Sequence, residues 1–356
     1  MKRMDAEVFF NATQYSLPSE EKKKLLLENL RSLHEHHLTH SAGYKKICTS
    51  LFSSNIQSLE NLPYLPVSIF KNHELKSIPE SEVFKVLTSS GTTGSVPSKI
   101  YLDKGTAQLQ TKALSNIMQY VLGRERLPML IVDTISIVKN RTSYSARAAG
   151  VLGLSVFGKS HFYLLNESME PDLPGLQAFL EAQKGKPLLI FGFTFMVWQY
   201  LYEAIPACDL SGSILIHSGG WKKLHDQAVD NDTFKRRLQD KFNISKSYNF
   251  YGMVEQVGSI FLECECGFLH APNFADVLIR SPFDFRVLPH GEEGIIQVLS
   301  ILPHSYPGFS LLTEDLGTIE GEDNCSCGRK GKYFKVSGRM KKAELRGCSD
   351  TFTLTH

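Results

Sequence analysis

Apolar residues recur near helical spacing through residues 16–40, where Leu25, Leu26, Leu30, Leu33 and His37 follow a Leu17-Pro18-Ser19-Glu20 start. A helical N-terminal cap over 1–60 is predicted. Residues 61–70 (NLPYLPVSIF) carry two prolines and are expected to run as an extended, packed connector. Residues 83–87 and 99–102 predict short strands on either side of a glycine-rich turn. A helix is predicted over 106–122 and a strand over 129–132, and the alternation continues through strands at 188–191 and 214–217. The fold class is therefore α/β. Beyond Glu263 short β-like runs such as 295–301 are broken by Pro, Gly and Cys. The expected division is a cap (1–60), an α/β ligand-binding core (61–262), a β-rich subdomain (263–337) and a tail (338–356).

Composition narrows the classes of function. A chain of 356 residues with 42% hydrophobic and 21% charged residues is an ordinary globular protein able to bury a large core. Its 39 basic residues barely exceed its 37 acidic ones, so charge implies neither nucleic acid nor an anionic membrane as a partner. The N-terminus lacks a signal-type apolar run, and no segment approaches the ~20 apolar residues of a membrane helix, so a cytoplasmic protein without a membrane span is expected. Four of the seven cysteines fall in two Cys-x-Cys-Gly pairs, Cys264/Cys266 and Cys325/Cys327. They suit either a closed structural zinc site, with His270 as a substitute ligand, or four buried thiols, and better than a disulfide framework.

The strongest chemical signal is the run Thr88-Ser89-Ser90-Gly91-Thr92-Thr93-Gly94, followed by Pro97 and Lys99. Glycines let backbone N–H groups close round an anion, hydroxyls add donors, and an ammonium neutralises charge, which together suit a polyphosphate. The Gly-Lys-Ser/Thr ending of a Walker loop is missing, and the flanks predict two strands instead of a strand and a helix. Taken alone, the run also fits a flexible Ser/Thr/Gly turn. The segments Phe191-Gly192-Phe193-Thr194-Phe195 and His217-Ser218-Gly219-Gly220-Trp221 follow predicted strands, where crevices of open α/β sheets lie. Phe193, His217, Gly219 and Gly220 are candidates to line an acid-binding pocket, against ordinary core packing as the alternative.

The loop resembles the signature of the adenylate-forming superfamily of acyl-CoA synthetases, luciferases and peptide-synthetase adenylation domains. Tyr251-Gly252-Met253-Val254-Glu255 resembles its Tyr-Gly-x-Thr-Glu motif, Leu312-Thr313-Glu314-Asp315 its Thr-Gly-Asp motif, and Gly338-Arg339 its hinge Gly-Arg. The resemblance implies an adenylate-forming large domain in which Thr88 to Gly94 hold the ATP phosphates, Tyr251 stacks on adenine, Glu255 serves Mg²⁺, and Asp315 accepts the ribose hydroxyls near Arg339. Val254 and Glu314 depart from the usual Thr and Gly, which removes one hydroxyl contact and alters the ribose loop.

Superfamily members of full length continue past the hinge into a domain bearing a catalytic lysine, whereas this sequence ends 17 residues after Arg339. With its helical cap, the Gly219-Gly220-Trp221-Lys222 and Ser305-Tyr306-Pro307-Gly308 turns and a cysteine near the end, it resembles the acyl-protein synthetases of bacterial bioluminescence. That resemblance implies that a fatty acid is activated to acyl-AMP, that Cys348 takes the acyl group, and that an acyl reductase is the partner. Arg346, Lys342 and Lys341 would lower the thiol pKa of Cys348 if they lie close. Lys99, Lys222, Lys341 and Lys342 are candidates for the cation at the α-phosphate. The alternatives are a phenylacetate-type ligase forming a CoA thioester or an amide, and a zinc-stabilised ATP-binding protein that has lost catalysis.

Overall fold

The run Met129-Leu130-Ile131-Val132 is fully buried and has no polar face. Such a run is stable only in a sheet covered on both sides, the setting of parallel strands with helical crossovers. The computed structural model, which describes residues 6–89, 97–139 and 146–340, puts it at the heart of that arrangement. The strands are β1 (Leu65–Pro66), β2 (Lys85–Thr88), β3 (Lys99–Leu102), β4 (Leu127–Thr134), β5 (Gly158–Leu165), β6 (Leu189–Phe193) and β7 (Ile214–Ser218). They continue with β8 (Lys246–Tyr251), β9 (Phe261–Glu263), β10 (Leu269–His270), β11 (Ala275–Arg280), β12 (Gly294–Ser300), β13 (Ser310–Glu322) and β14 (Lys332–Arg339).

Strands β5-β4-β6-β7-β8 pair in parallel. The helices Ala146–Ser155, Leu173–Ala182 and Asn231–Phe242 lie in the crossovers β4–β5, β5–β6 and β7–β8. The last of these has its start and stop written locally: the Asp230 side chain accepts from Thr233 N, and Asn243 closes the C-terminus in the left-handed conformation. Between β6 and β7, Thr194–Met196 continues as a π-helix over Val197–Glu203. At β9 the pairing turns antiparallel and runs on as β8-β9-β10-β14-β13-β12-β11, with β1 added in parallel to β13. Among the described residues this makes one 12-stranded sheet, with β2 and β3 as a separate hairpin. Short antiparallel strands need frequent tight turns, which is why Pro and Gly punctuate the second half.

The N-terminal helix spans Ser19–His40, three residues inside the predicted start, because Pro18 is extended at ψ 148° and forms the boundary. Leu26, Leu30, Leu33 and His37 all face inward. Ser19 donates to Asp323 from its backbone N and its hydroxyl, and His37 meets Ser77 Oγ at 2.7 Å and Pro303 O at 3.1 Å. The connector at 61–70 forms β1 and enters a short helix, Ile69–Asn72. The helix Lys104–Leu122 is capped by Asp103 and stops at Gly123, φ 73°. It packs so closely on the turn at Gly258, φ +87°, that a Cβ there would sit 2.9 Å from Gln110 Cα.

Candidate active site

The site starts at the mouth of the β2–β3 hairpin, where Thr88 pairs with Lys99. Ser89 N donates to Ser98 O at 3.1 Å and Ser98 N donates to Ser89 Oγ at 2.9 Å, so the two serines clasp the base of the glycine-rich loop. Ser90, Gly91, Thr92, Thr93 and Gly94 lie outside the described residues. Ser98 is fully buried, and its hydroxyl lies beside Glu255. Burial raises the Glu255 pKa, against the Ser98 hydroxyl and the charges of Lys71 and Arg339, which hold it down. The backbone there is fixed from below: Tyr306 Oη donates to Glu255 O at 2.9 Å, and Gln256 Nε2 donates to Gly308 O at 3.0 Å. Gly308 belongs in that turn because a Cβ would lie 2.9 Å from Glu255 O.

Tyr251 ends β8, and its hydroxyl donates to Asp315 Oδ2 at 2.7 Å. Three strands lie between β8 and β13, a span of about 19 Å in a flat sheet. The contact therefore requires the sheet to curl, and β13 carries register shifts at Leu316/Gly317 and Ile319/Gly321, the kind of irregularity that bends a ladder. Asp315 pairs with Arg339 in that ladder, and Arg339 Nε stands 3.6 Å from Asp315 Oδ1 and Nη2 3.5 Å from Glu314 Oε2. Thr313 Oγ1 accepts from Asp315 N at 3.1 Å and fixes the turn. Burial raises the Tyr251 pKa well above the ordinary phenol range, and the Asp315 charge adds to it. The phenol is thus a hydrogen-bond donor, not an acid. Its ring stands edge-on to Phe334 with centroids 6.2 Å apart, and Gly252 next to it leaves room for Ile260.

Phe193 and His217 lie on opposite faces of the sheet, since Phe193 is in register with Ser218 and Gly192 with His217. The Phe193 ring packs between Gly150 and Gly219, where an added Cβ would lie 3.3 Å from it at either glycine. Gly220 borders open space. His217 is buried against Phe234, its Nδ1 2.9 Å from Thr194 Oγ1 and its Nε2 without a hydrogen-bond partner among the described residues. Burial, helped by Lys235, lowers its pKa to about 3, so the ring is neutral. Elsewhere, Cys264, His270, Cys325 and Cys327 converge, while Cys266 Sγ meets Ser326 Oγ at 3.1 Å instead. Cys348, Lys341 and Lys342, and the side chain of Lys222, lie outside the described residues.

A carboxylate-tethered tyrosine, a buried glutamate and a hydroxyl-rich loop base thus lie near one another where the sheet curls. The family model described as acyl-protein synthetase, LuxE, matches residues 2–355. The chain belongs to that family. A long-chain-fatty-acid–luciferin-component ligase of Vibrio harveyi is 23% identical over 354 residues, covering 96% of this chain and 91% of that protein. The Aliivibrio fischeri protein of the same name is 22% identical, covering 93% and 88%. Among solved structures, a 2-hydroxyisobutyryl-CoA ligase in complex with an acyl-AMP superposes with a TM-score of 0.68 at 17% identity, covering 91% of this chain and 69% of that one. This member of the LuxE family therefore has the fold of the adenylate-forming ligases, and it is a ligase by family.

For this LuxE-family chain, motif order brought Tyr251, Asp315 and Arg339 to notice, and the structure joins them. Sequence reasoning missed Ser98, Gln256, Thr313 and Tyr306 as the residues that hold Glu255 and Asp315 in place. Tyr306 and Thr313 lay within quoted motifs without a role. For Ser98 and Gln256 the only signal was adjacency to the loop and to Glu255.

Proposed function

We propose that this protein activates a long-chain fatty acid with ATP and passes the acyl group to Cys348, for collection by an acyl reductase. A carboxylate oxygen of the acid attacks the α-phosphorus, the bond to pyrophosphate breaks, and acyl-AMP forms. The Cys348 sulfur then attacks the acyl carbon, the carbon–oxygen bond to AMP breaks, and the thiol proton leaves with solvent.

The observation that carries this reading is the Tyr251–Asp315–Arg339 assembly beside Glu255 and the base of the loop. Asp315 spends one lone pair on Tyr251, and a carboxylate offers about four acceptor sites, so capacity remains for a ribose diol. Tyr251 offers a ring face to adenine. Glu255 is a buried carboxylate short of positive charge, which suits a Mg²⁺ ion arriving with the nucleotide; the metal would offset the charge developing on the phosphates. Thr88, Ser89 and the loop to Gly94 would hold the phosphates, with Lys99 as a candidate cation for the α-phosphate. Phe193, Gly219 and Gly220 would border the acyl chain, and the buried His217 would back the pocket wall from the other face.

ATP–pyrophosphate exchange across a panel of carboxylic acids tests the first half-reaction, and exchange driven best by long-chain acids is the expected result. Cys348→Ala tests the second: exchange persists while the hydroxylamine-labile acyl label on the protein disappears. A label retained in Cys348→Ala rules out the cysteine as the carrier. CoA thioester formed from free CoA would point instead to the CoA-ligase alternative.

A further inference from the structure

The two Cys-x-Cys-Gly turns are built alike although 61 positions separate their first cysteines. In each, the glycine N donates to the first cysteine's carbonyl at 3.0 Å, and the glycine takes a left-handed φ, +81° at Gly267 and +83° at Gly328. Backbone N–H groups then point at sulfur: Cys266 and Phe268 at Cys264, Cys327 at Cys325, and Arg329 at Cys327.

Cys264, His270, Cys325 and Cys327 offer four ligand atoms that all lie within 4.8 Å of one another. Zinc bonds of about 2.3 Å to sulfur and 2.0–2.1 Å to nitrogen at tetrahedral angles give edges of about 3.8 Å for S···S and about 3.6 Å for S···N. Cys264 Sγ and Cys325 Sγ are 3.9 Å apart, and Cys327 Sγ and His270 Nε2 are 3.5 Å apart. A disulfide would bring two sulfurs to about 2.0 Å. Tyr333 stacks on the imidazole at 5.5 Å and fixes the plane that aims Nε2 at the sulfurs.

A second observation concerns charge. Arg329 is buried beside these residues, between the rings of Tyr15 and Tyr120. Among the described residues it has no carboxylate partner, and its Nε has no hydrogen-bond acceptor. A buried guanidinium needs a counter-charge. Three thiolates and one Zn²⁺ carry a net charge of −1, which Arg329 neutralises; four neutral thiols would leave it unbalanced.

We infer that Cys264, His270, Cys325 and Cys327 bind one structural zinc ion in a closed Cys₃His site, with Cys266 outside the coordination sphere. The ion would tie the β9–β10 hairpin to the β13–β14 turn and so hold strands that lie between Tyr251 and Asp315 in the sheet order. With four protein ligands it leaves no open position and does no chemistry.

Elemental analysis of the full-length protein, purified without chelator from zinc-supplemented cells, should find one zinc per chain. Cobalt substituted for it should show thiolate-to-metal charge transfer and the intense visible bands of a tetrahedral site. In competition with a chromogenic chelator, Cys325→Ser and His270→Ala should lose at least about tenfold in affinity, while Cys266→Ser matches the native protein. A native chain carrying no zinc overturns the inference even if the variants fail to fold. So does a loss of affinity in Cys266→Ser with none in His270→Ala, which would mean a four-cysteine site.

Discussion

Removing a single oxygen at Tyr251 probes the proposed nucleotide side of the site without disturbing its ring. The Tyr251 hydroxyl donates to Asp315 at 2.7 Å, and a hydrogen bond to a charged acceptor contributes about 1.5–3 kcal/mol net. The Asp315 side chain is 24% exposed, so water partly replaces the lost donor and about 1.5 kcal/mol is the better expectation. At about 2.1 cal/mol/K per residue, 356 residues unfold with an entropy near 0.7 kcal/mol/K, which turns that loss into a Tm decrease of about 2 °C for Tyr251→Phe. Asp315→Asn keeps the shape and removes the charge, so it weakens the same bond and the pairing with Arg339. A double-mutant cycle read by thermal melting should show the two changes coupled by about 1 kcal/mol. Kinetics separate the roles: Asp315→Asn should raise KM for ATP at least about tenfold if its free lone pairs take the ribose, and Tyr251→Phe much less, because the ring remains. Additive effects within about 0.3 kcal/mol refute the coupling, and an unchanged KM for ATP in Asp315→Asn refutes the ribose role.

Three further changes follow from the same geometry. Glu255→Gln should melt at or above the native temperature, because burial already disfavours the charged carboxyl, while ATP–pyrophosphate exchange falls by about 10²-fold or more; a variant with native exchange shows that Glu255 is not a metal ligand. Gly258→Ala places a Cβ 2.9 Å from Gln110 Cα at a left-handed φ and should cost about 2–4 kcal/mol, measured by urea unfolding; a loss under about 1 kcal/mol means that the helix Lys104–Leu122 shifts freely. His217 and His37 are buried, desolvation pushes both pKa values down, to about 3 for His217, and each takes up a proton only on unfolding. Their contribution is present above about pH 6.5 and is lost as pH falls, by about 2.7 kcal/mol per pH unit once both titrate in the unfolded chain. The melting temperature should therefore fall steeply between pH 6 and pH 5, and His217→Gln should flatten that slope; a curve level over this range contradicts the buried neutral pair.

Local patterns alone determined much of this protein. The helix predicted over 106–122 forms as Lys104–Leu122, because its cap at Asp103 and its stop at Gly123 are settled within a few residues. The uninterrupted run at 129–132 marks a central strand because only two-sided cover tolerates it. The order of the motifs carrying Ser89, Tyr251, Asp315 and Arg339 was legible as well, since each motif is short and contiguous. Tertiary structure alone decided how those motifs meet. Tyr251 reaches Asp315 across three intervening strands only because the sheet curls, and the register shifts of β13 that accompany the curl exist only in its pairing with β14, a strand distant in sequence. It also decided which face each side chain takes, setting Phe193 and His217 on opposite sides of adjacent strands. For the same reason sequence spacing left the paired cysteines open: it offers Cys266 and Cys264 equally, with His270 as a substitute, whereas side-chain direction turns Cys266 to Ser326 and brings His270 to the sulfurs. Spacing along a chain fixes what is possible within a turn, and contact between distant turns is set by the packing of the whole sheet.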